Sequence, residues 1–177
     1  MNETYELRGG ETHIEVHKFY PGAVVGVTVA ALVLQAIVPL YIPVTRIMEL
    51  PLLVTIYFGL SRRNPSTGLL LGTVIGLCQD ALSGPTVPLG FYGIAKTVIG
   101  YLASSIGAKL DTEHPAARFL LTGAFFVLHQ AVLVLTRRVL LAQPEPWFNL
   151  HLAVAAAVNA VLGTILFLGI DRLRRSS

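Results

Sequence analysis

The stretch GLLLGTVIGLCQDALSGP, Gly68 to Pro85, decides how the whole chain is read. Glycine stands at 68, 72 and 76 and aspartate at 80, each four residues from the last. Positions i and i+4 share one face of a helix. Three residues without side chains therefore lead along one stripe to a carboxylate, inside a run that is otherwise strongly apolar. In lipid, apolar side chains gain little by exchanging one apolar neighbour for another. Helices associate instead by close backbone approach, which small residues permit. Gly68, Gly72 and Gly76 are thus expected to form a helix-packing seam, against a neighbour in this chain or on a partner. A second row, Gly93, Gly100 and Gly107, repeats every seven residues, and Gly22 and Gly26 form one more pair.

The composition places that helix in a membrane. Of 177 residues, 54% are hydrophobic and 13% charged, with a mean hydropathy of +0.67. A soluble domain carries about a quarter charged residues. Cys78 is the single cysteine, which excludes an internal disulfide and a cysteine zinc site. The histidines at 13, 17, 114, 129 and 151 show no metal-ligand spacing, and no phosphate loop, nucleophile elbow or dinucleotide fingerprint occurs. No catalytic residue, metal site or cofactor is expected. The sequence pI near 9.2 arises from basic residues at the ends of apolar runs, which suits a membrane surface and not a nucleic acid.

Six membrane segments are expected, near 21–42, 50–60, 66–82, 88–108, 116–135 and 149–170, with the fifth extending as far as 142. The expected fold is an all-α polytopic bundle of about six transmembrane helices. A full crossing takes roughly 20 apolar residues, so the second and third segments are short and could insert as a hairpin bent at SRRNPST. The basic residues set an orientation by the positive-inside rule. Arg8, Lys18, Arg62, Arg63, Lys109, Arg118, Arg172, Arg174 and Arg175 fall on one side, and Arg46, Arg137 and Arg138 on the other. Both termini are then cytoplasmic. Residues 1–20 read as a cytoplasmic tail, because Glu3, Glu6, Glu11 and Glu15 are unlike the basic start of a signal peptide. The transmembrane domain is 21–171, and 172–177 forms a basic cytoplasmic tail.

A few polar residues interrupt the spans. Asp80 ends the glycine stripe, and Lys96 lies about two turns into the next span across the short SGPTVPLG connection. They are expected to form a buried or interfacial polar pair. The alternatives are that Asp80 caps the connection while Lys96 snorkels, or that they serve a proton relay or a substrate. Gln35, His129, Gln130 and Asn159 are candidates for hydrogen bonds between helices, and His129 is the most ligand-like of them. Arg62 and Arg63 form a cytoplasmic basic turn, suited to anionic lipid or to a cytoplasmic partner.

The stretch from Leu50 to Gly107, with Glu49 ahead of it, resembles the MreD family of bacterial rod-shape-determining membrane proteins. The elements are an acid before Pro-Leu-Leu (Glu49 to Leu53), the basic turn Arg62–Arg63, and the glycine-spaced helix ending in Asp-x-Leu-Ser-Gly (Gly68 to Gly84). A Pro-Leu-Gly turn (Pro88 to Gly90) and Gly-Tyr-Leu-Ala (Gly100 to Ala103) follow. The tail Met1–Tyr20 is longer than the family pattern. The resemblance implies a non-enzymatic, multi-pass subunit of the bacterial inner membrane that maintains rod shape. It would link the MreC scaffold and the elongation polymerase and transpeptidase to the MreB filament. The family is also similar in plan, by helix number and size, to the substrate-binding subunits of energy-coupling-factor vitamin transporters, which supplies the rival: a small-molecule subunit for vitamin uptake, with an outer polar pocket lined by Asp80, Lys96 and the loops 83–90 and 143–149. An intramembrane enzyme is more distant, because Asp80, Lys96 and His129 sit on three helices with no spacing that brings them together.

Overall fold

The computed structural model describes residues 21–85, 87–110, 114–143, 146–147 and 150–172. The expected tail 1–20 and residues 173–177 lie outside the described residues. Six α-helices follow one another: α1 (Pro21–Tyr41), α2 (Leu50–Arg62), α3 (Pro65–Leu82), α4 (Phe91–Gly107), α5 (Pro115–Leu140) and α6 (Leu150–Asp171), with a 3₁₀ turn at Pro43–Ile47 ahead of α2. No strand occurs among the described residues.

Local chemistry explains the boundaries. Arg63 ends α2 in the left-handed region at φ 54°. Asn64 then caps α3, its side-chain oxygen accepting from the Ser66 and Thr67 N–H at 3.1 and 3.2 Å, with Pro65 in the first helical position. The SRRNPST bend is thus a C-cap followed by an N-cap. The fourth helix begins at Phe91, three residues later than expected, because Gly90 takes φ 96° and breaks the helical run before it. His114 Nδ1 accepts from the Ala116 N–H at 3.2 Å and opens α5.

Four stretches are long and apolar enough to cross a membrane: Pro21–Tyr41, Pro43–Arg62, Pro115–Leu140 and Leu150–Asp171. The second expected segment reaches that length only because the 3₁₀ turn lengthens α2. Helices α3 and α4 fall outside this group. The six expected segments are therefore all helices, of which four have the length and hydropathy of a crossing.

Helix α2 is the axis of the bundle. Every residue from Pro51 to Ser61 is buried, as expected of a helix that is apolar on all sides. Leu52, Leu53, Val54 and Ile56 have no exposed surface. Helices α3 and α4 pack on each other most extensively, α2 packs on α4, and α5 pairs with α6. Helix α1 lies at the rim, with only Val24, Ala31 and Leu32 buried. Gln35 joins it to the centre, donating to the Met48 carbonyl and accepting from the Leu50 N–H, both at 3.0 Å.

Candidate functional site

The glycine seam faces α4. A Cβ built on Gly76 would lie 2.6 Å from Gly93 Cα, and one on Gly72 would lie 2.8 Å from the Lys96 carbonyl carbon. One on Gly68 would sit inside the shell of the Gly100 carbonyl oxygen. Gly93 and Gly100 of the second glycine row therefore meet the first row within this chain, while Gly107 lies against Leu60 of α2. A Thr73–Thr97 hydroxyl contact of 2.8 Å runs beside them. Gly22 and Gly26 have nothing within 4 Å of a Cβ.

Asp80 and Lys96 are both buried, at 3% and 0% exposure, and each has other partners. The Asp80 carboxylate accepts from three backbone N–H groups at the start of α4: Gly90 at 2.9 Å, Tyr92 at 2.8 Å and Gly93 at 3.0 Å. The carboxylate that Lys96 meets is Glu49, with Nζ 3.5 Å from Oε2. Nζ also lies 3.4 Å from His129 Nε2 and 4.9 Å from the Tyr92 ring centroid, near enough for a cation–π attraction. The Tyr92 and His129 rings stack at 6.5 Å and 8°. Gln79 donates to Glu49 Oε2 at 3.4 Å. The fold thus brings Lys96 and His129 together, which sequence spacing did not indicate.

Glu49 is the residue that sequence reasoning passed over as a site. Its backbone N–H donates to Asn159 Oδ1 at 2.9 Å, while Asn159 Nδ2 donates to Ile47 O at 2.8 Å. A buried charge is tolerated when paired and hydrogen-bonded. Here one acid at the head of α2 meets one lysine from α4, beside a histidine from α5. The signal available in the sequence was an isolated acid directly ahead of a short apolar helix. Among the described residues the side-chain partner of the His129 ring nitrogen Nε2 is Lys96. For the Lys96 ammonium to donate to Nε2, the imidazole proton must sit on Nδ1, and Nδ1 has no hydrogen-bond partner among the described residues. What the cluster can do is hold charge inside the bundle and fix α2, α4 and α5 relative to one another. Among the described residues no His, Cys, Asp and Glu side chains gather to hold a metal ion.

Glu49 also forms part of a cleft of about 190 Å³ between the 3₁₀ turn, α5, α6 and Trp147. Arg46, Gln130 and His151 supply its other polar groups, and Phe126, Val134, Leu152 and Ala155 its apolar wall. Of the residues expected to line a polar pocket, Pro146 and Trp147 line this one, whereas Asp80 and Lys96 do not. At the opposite end of the bundle, Tyr57 donates to Asp171 Oδ1 at 2.6 Å and Arg118 Nη1 to Asp171 Oδ2 at 2.6 Å. This joins α2, α5 and the end of α6. Arg62 and Arg63, at the nearby α2–α3 turn, are half-buried.

Compared with known protein families, residues 18–176 match the family described as MreD, rod shape-determining protein MreD. No curated protein matches the chain, and no solved structure matches it.

Proposed function

The chain belongs to the MreD family of rod shape-determining proteins, and on that premise we propose that it is a non-catalytic membrane subunit of the bacterial cell-elongation complex. The match over residues 18–176 carries this reading. In this proposal the protein crosses the cytoplasmic membrane six times with both termini inside. It links an MreC-type scaffold and the elongation polymerase and transpeptidase to the MreB filament, directly or through a partner. The geometry supports a scaffold. The polar groups of the spans are mostly spent on one another, as in the Glu49–Lys96 pair and the Asp80 cap. The glycine seam of α3 is spent on α4. Partners would then meet the lipid-facing sides and the two ends of a rigid bundle, with Arg62 and Arg63 on the cytoplasmic end.

Affinity purification of the tagged protein from native membranes in mild detergent, read by mass spectrometry, tests the proposal. Recovery of an MreC-like protein with cell-wall synthases is the expected result. Recovery of paired ATPases with a coupling subunit, and none of the elongation proteins, would overturn it.

A further inference from the structure

We propose that the cleft beside Glu49 binds a small zwitterion, a primary ammonium next to a phosphate, which is the chemistry of an ethanolamine phospholipid headgroup. The cleft presents both signs of charge. Glu49 is 9% exposed, and its Oε2 receives both Lys96 and Gln79. Its Oε1 has no hydrogen bond among the described residues, so a buried carboxylate lines the cleft with one oxygen unspent. Arg46 is exposed on the same cleft and has no ion pair among the described residues. A simple anion on Arg46 would face the Glu49 carboxylate, and a simple cation on Glu49 would face the guanidinium. A ligand carrying both charges satisfies both groups.

The ammonium is primary for a second reason. A quaternary ammonium is recognised through aromatic faces, and Trp147 already has the Arg138 guanidinium 4.7 Å over its ring. Recognition then falls to hydrogen bonding, with N–H donors directed to Glu49 Oε1 and to the Gln130 amide. The size is consistent. About 190 Å³ is room for roughly six waters at ~30 Å³ each, enough for a headgroup and not for a large solute. Phe126 and Ala155 continue the cleft as an apolar wall below the polar rim, a path that an acyl chain can follow. The same zwitterion could also arrive as a soluble molecule.

Native mass spectrometry of the delipidated full-length protein separates these cases. Phosphatidylethanolamine, phosphatidylcholine, phosphatidylglycerol and soluble O-phosphoethanolamine are added in turn. Phosphatidylethanolamine should be retained about ten-fold better than the other two lipids, and Arg46→Ala should lower that retention about ten-fold, the scale of one charge-assisted hydrogen bond. Arg46→Ala alters an exposed side chain, so it tests the site even if Glu49→Gln, which leaves Lys96 without its carboxylate, does not fold. Retention of O-phosphoethanolamine alone, with the same dependence on Arg46, supports the zwitterion and assigns it a soluble source. Equal retention of the three lipids, or retention unchanged in Arg46→Ala, would overturn the proposal.

Discussion

Asp80 supplies from a neighbouring helix what α4 lacks at its own start. The N-cap residue is Gly90, which has no side chain to accept a hydrogen bond. The first N–H groups of a helix need acceptors, and at a buried position such as Asp80, 3% exposed, water does not supply them. Asp80 receives three such N–H groups at 2.8–3.0 Å, and its negative charge suits the positive end of the helix dipole. Bonds to a charged group contribute roughly 1.5–3 kcal/mol each, and a buried unmet donor costs about 1–3 kcal/mol. Asp80→Ala should therefore lose about 4–5 kcal/mol at the low end of that range, lowering the melting temperature in detergent by about 8–20 °C at ~2–4 °C per kcal/mol. Asp80→Asn, which keeps one acceptor oxygen, should lose less, and an equal loss in both would show that the carboxylate is not the cap. Glu49 and Lys96 follow a different rule. Removing one member of a buried pair costs about 3–5 kcal/mol, whereas removing both together can be nearly neutral. Lys96→Met and Glu49→Gln should each destabilise strongly, with the double variant less damaged than their sum by about 1–3 kcal/mol. Additive losses in a double-mutant cycle would mean that the 3.5 Å contact carries no coupling.

The α3–α4 pair is held by backbone contact, so it should fail when side chains are added. Gly72→Leu and Gly76→Leu drive carbons into the backbone of Lys96 and Gly93, whereas Gly26→Leu enters open space. Overpacking costs about 1–3 kcal/mol where neighbours can shift, and backbone on a facing helix shifts least. The first two variants should lose folded protein in detergent size-exclusion profiles and the third should not; equal tolerance at all three would remove the seam. This element was legible in the sequence because a helix fixes i and i+4 to one face whatever surrounds it, and the seven-residue glycine row of α4 was equally visible. The Glu49–Lys96 contact was not legible. It joins residues 47 positions apart, and it depends on a 3₁₀ turn, Pro43–Ile47, that draws the acid to the head of α2. The central place of α2 was hidden for a related reason. A run of 13 residues measures about 20 Å at 1.5 Å per residue, which reads as a marginal span, although the shortness reflects a helix enclosed by the others.

At the scale of the molecule the open question is whether the α3–α4 hairpin crosses the bilayer. Its helices have 18 and 17 residues, about 27 and 25 Å at 1.5 Å per residue, against a hydrocarbon core of about 30 Å. Neither has the length and hydropathy of the four candidate spans. In the proposed six-span topology both cross, and the packing supports that reading. Gly107 abuts the backbone of Leu60 near the end of α2, while Lys96 reaches Glu49 at the head of α2. Helix α4 therefore runs alongside the buried length of α2, which with its 3₁₀ turn is a candidate span. In the proposed topology the positive-inside rule puts Lys109 inside and the α3–α4 connection outside. Two positions decide the matter: Leu89, 76% exposed in that connection, and Lys109, exposed beyond α4. Leu89→Cys and Lys109→Cys are made separately in a Cys78→Ser background, since Cys78 is the one native thiol and is exposed. An impermeant maleimide applied to intact spheroplasts should label Leu89→Cys at once and Lys109→Cys only after lysis. Labelling of both from the same side would mean that α4 does not cross, leaving the hairpin at one surface of a four-span bundle. Labelling of Lys109→Cys alone would invert the orientation and place Arg62 and Arg63 on the outer face, which would end their assignment as a cytoplasmic docking turn.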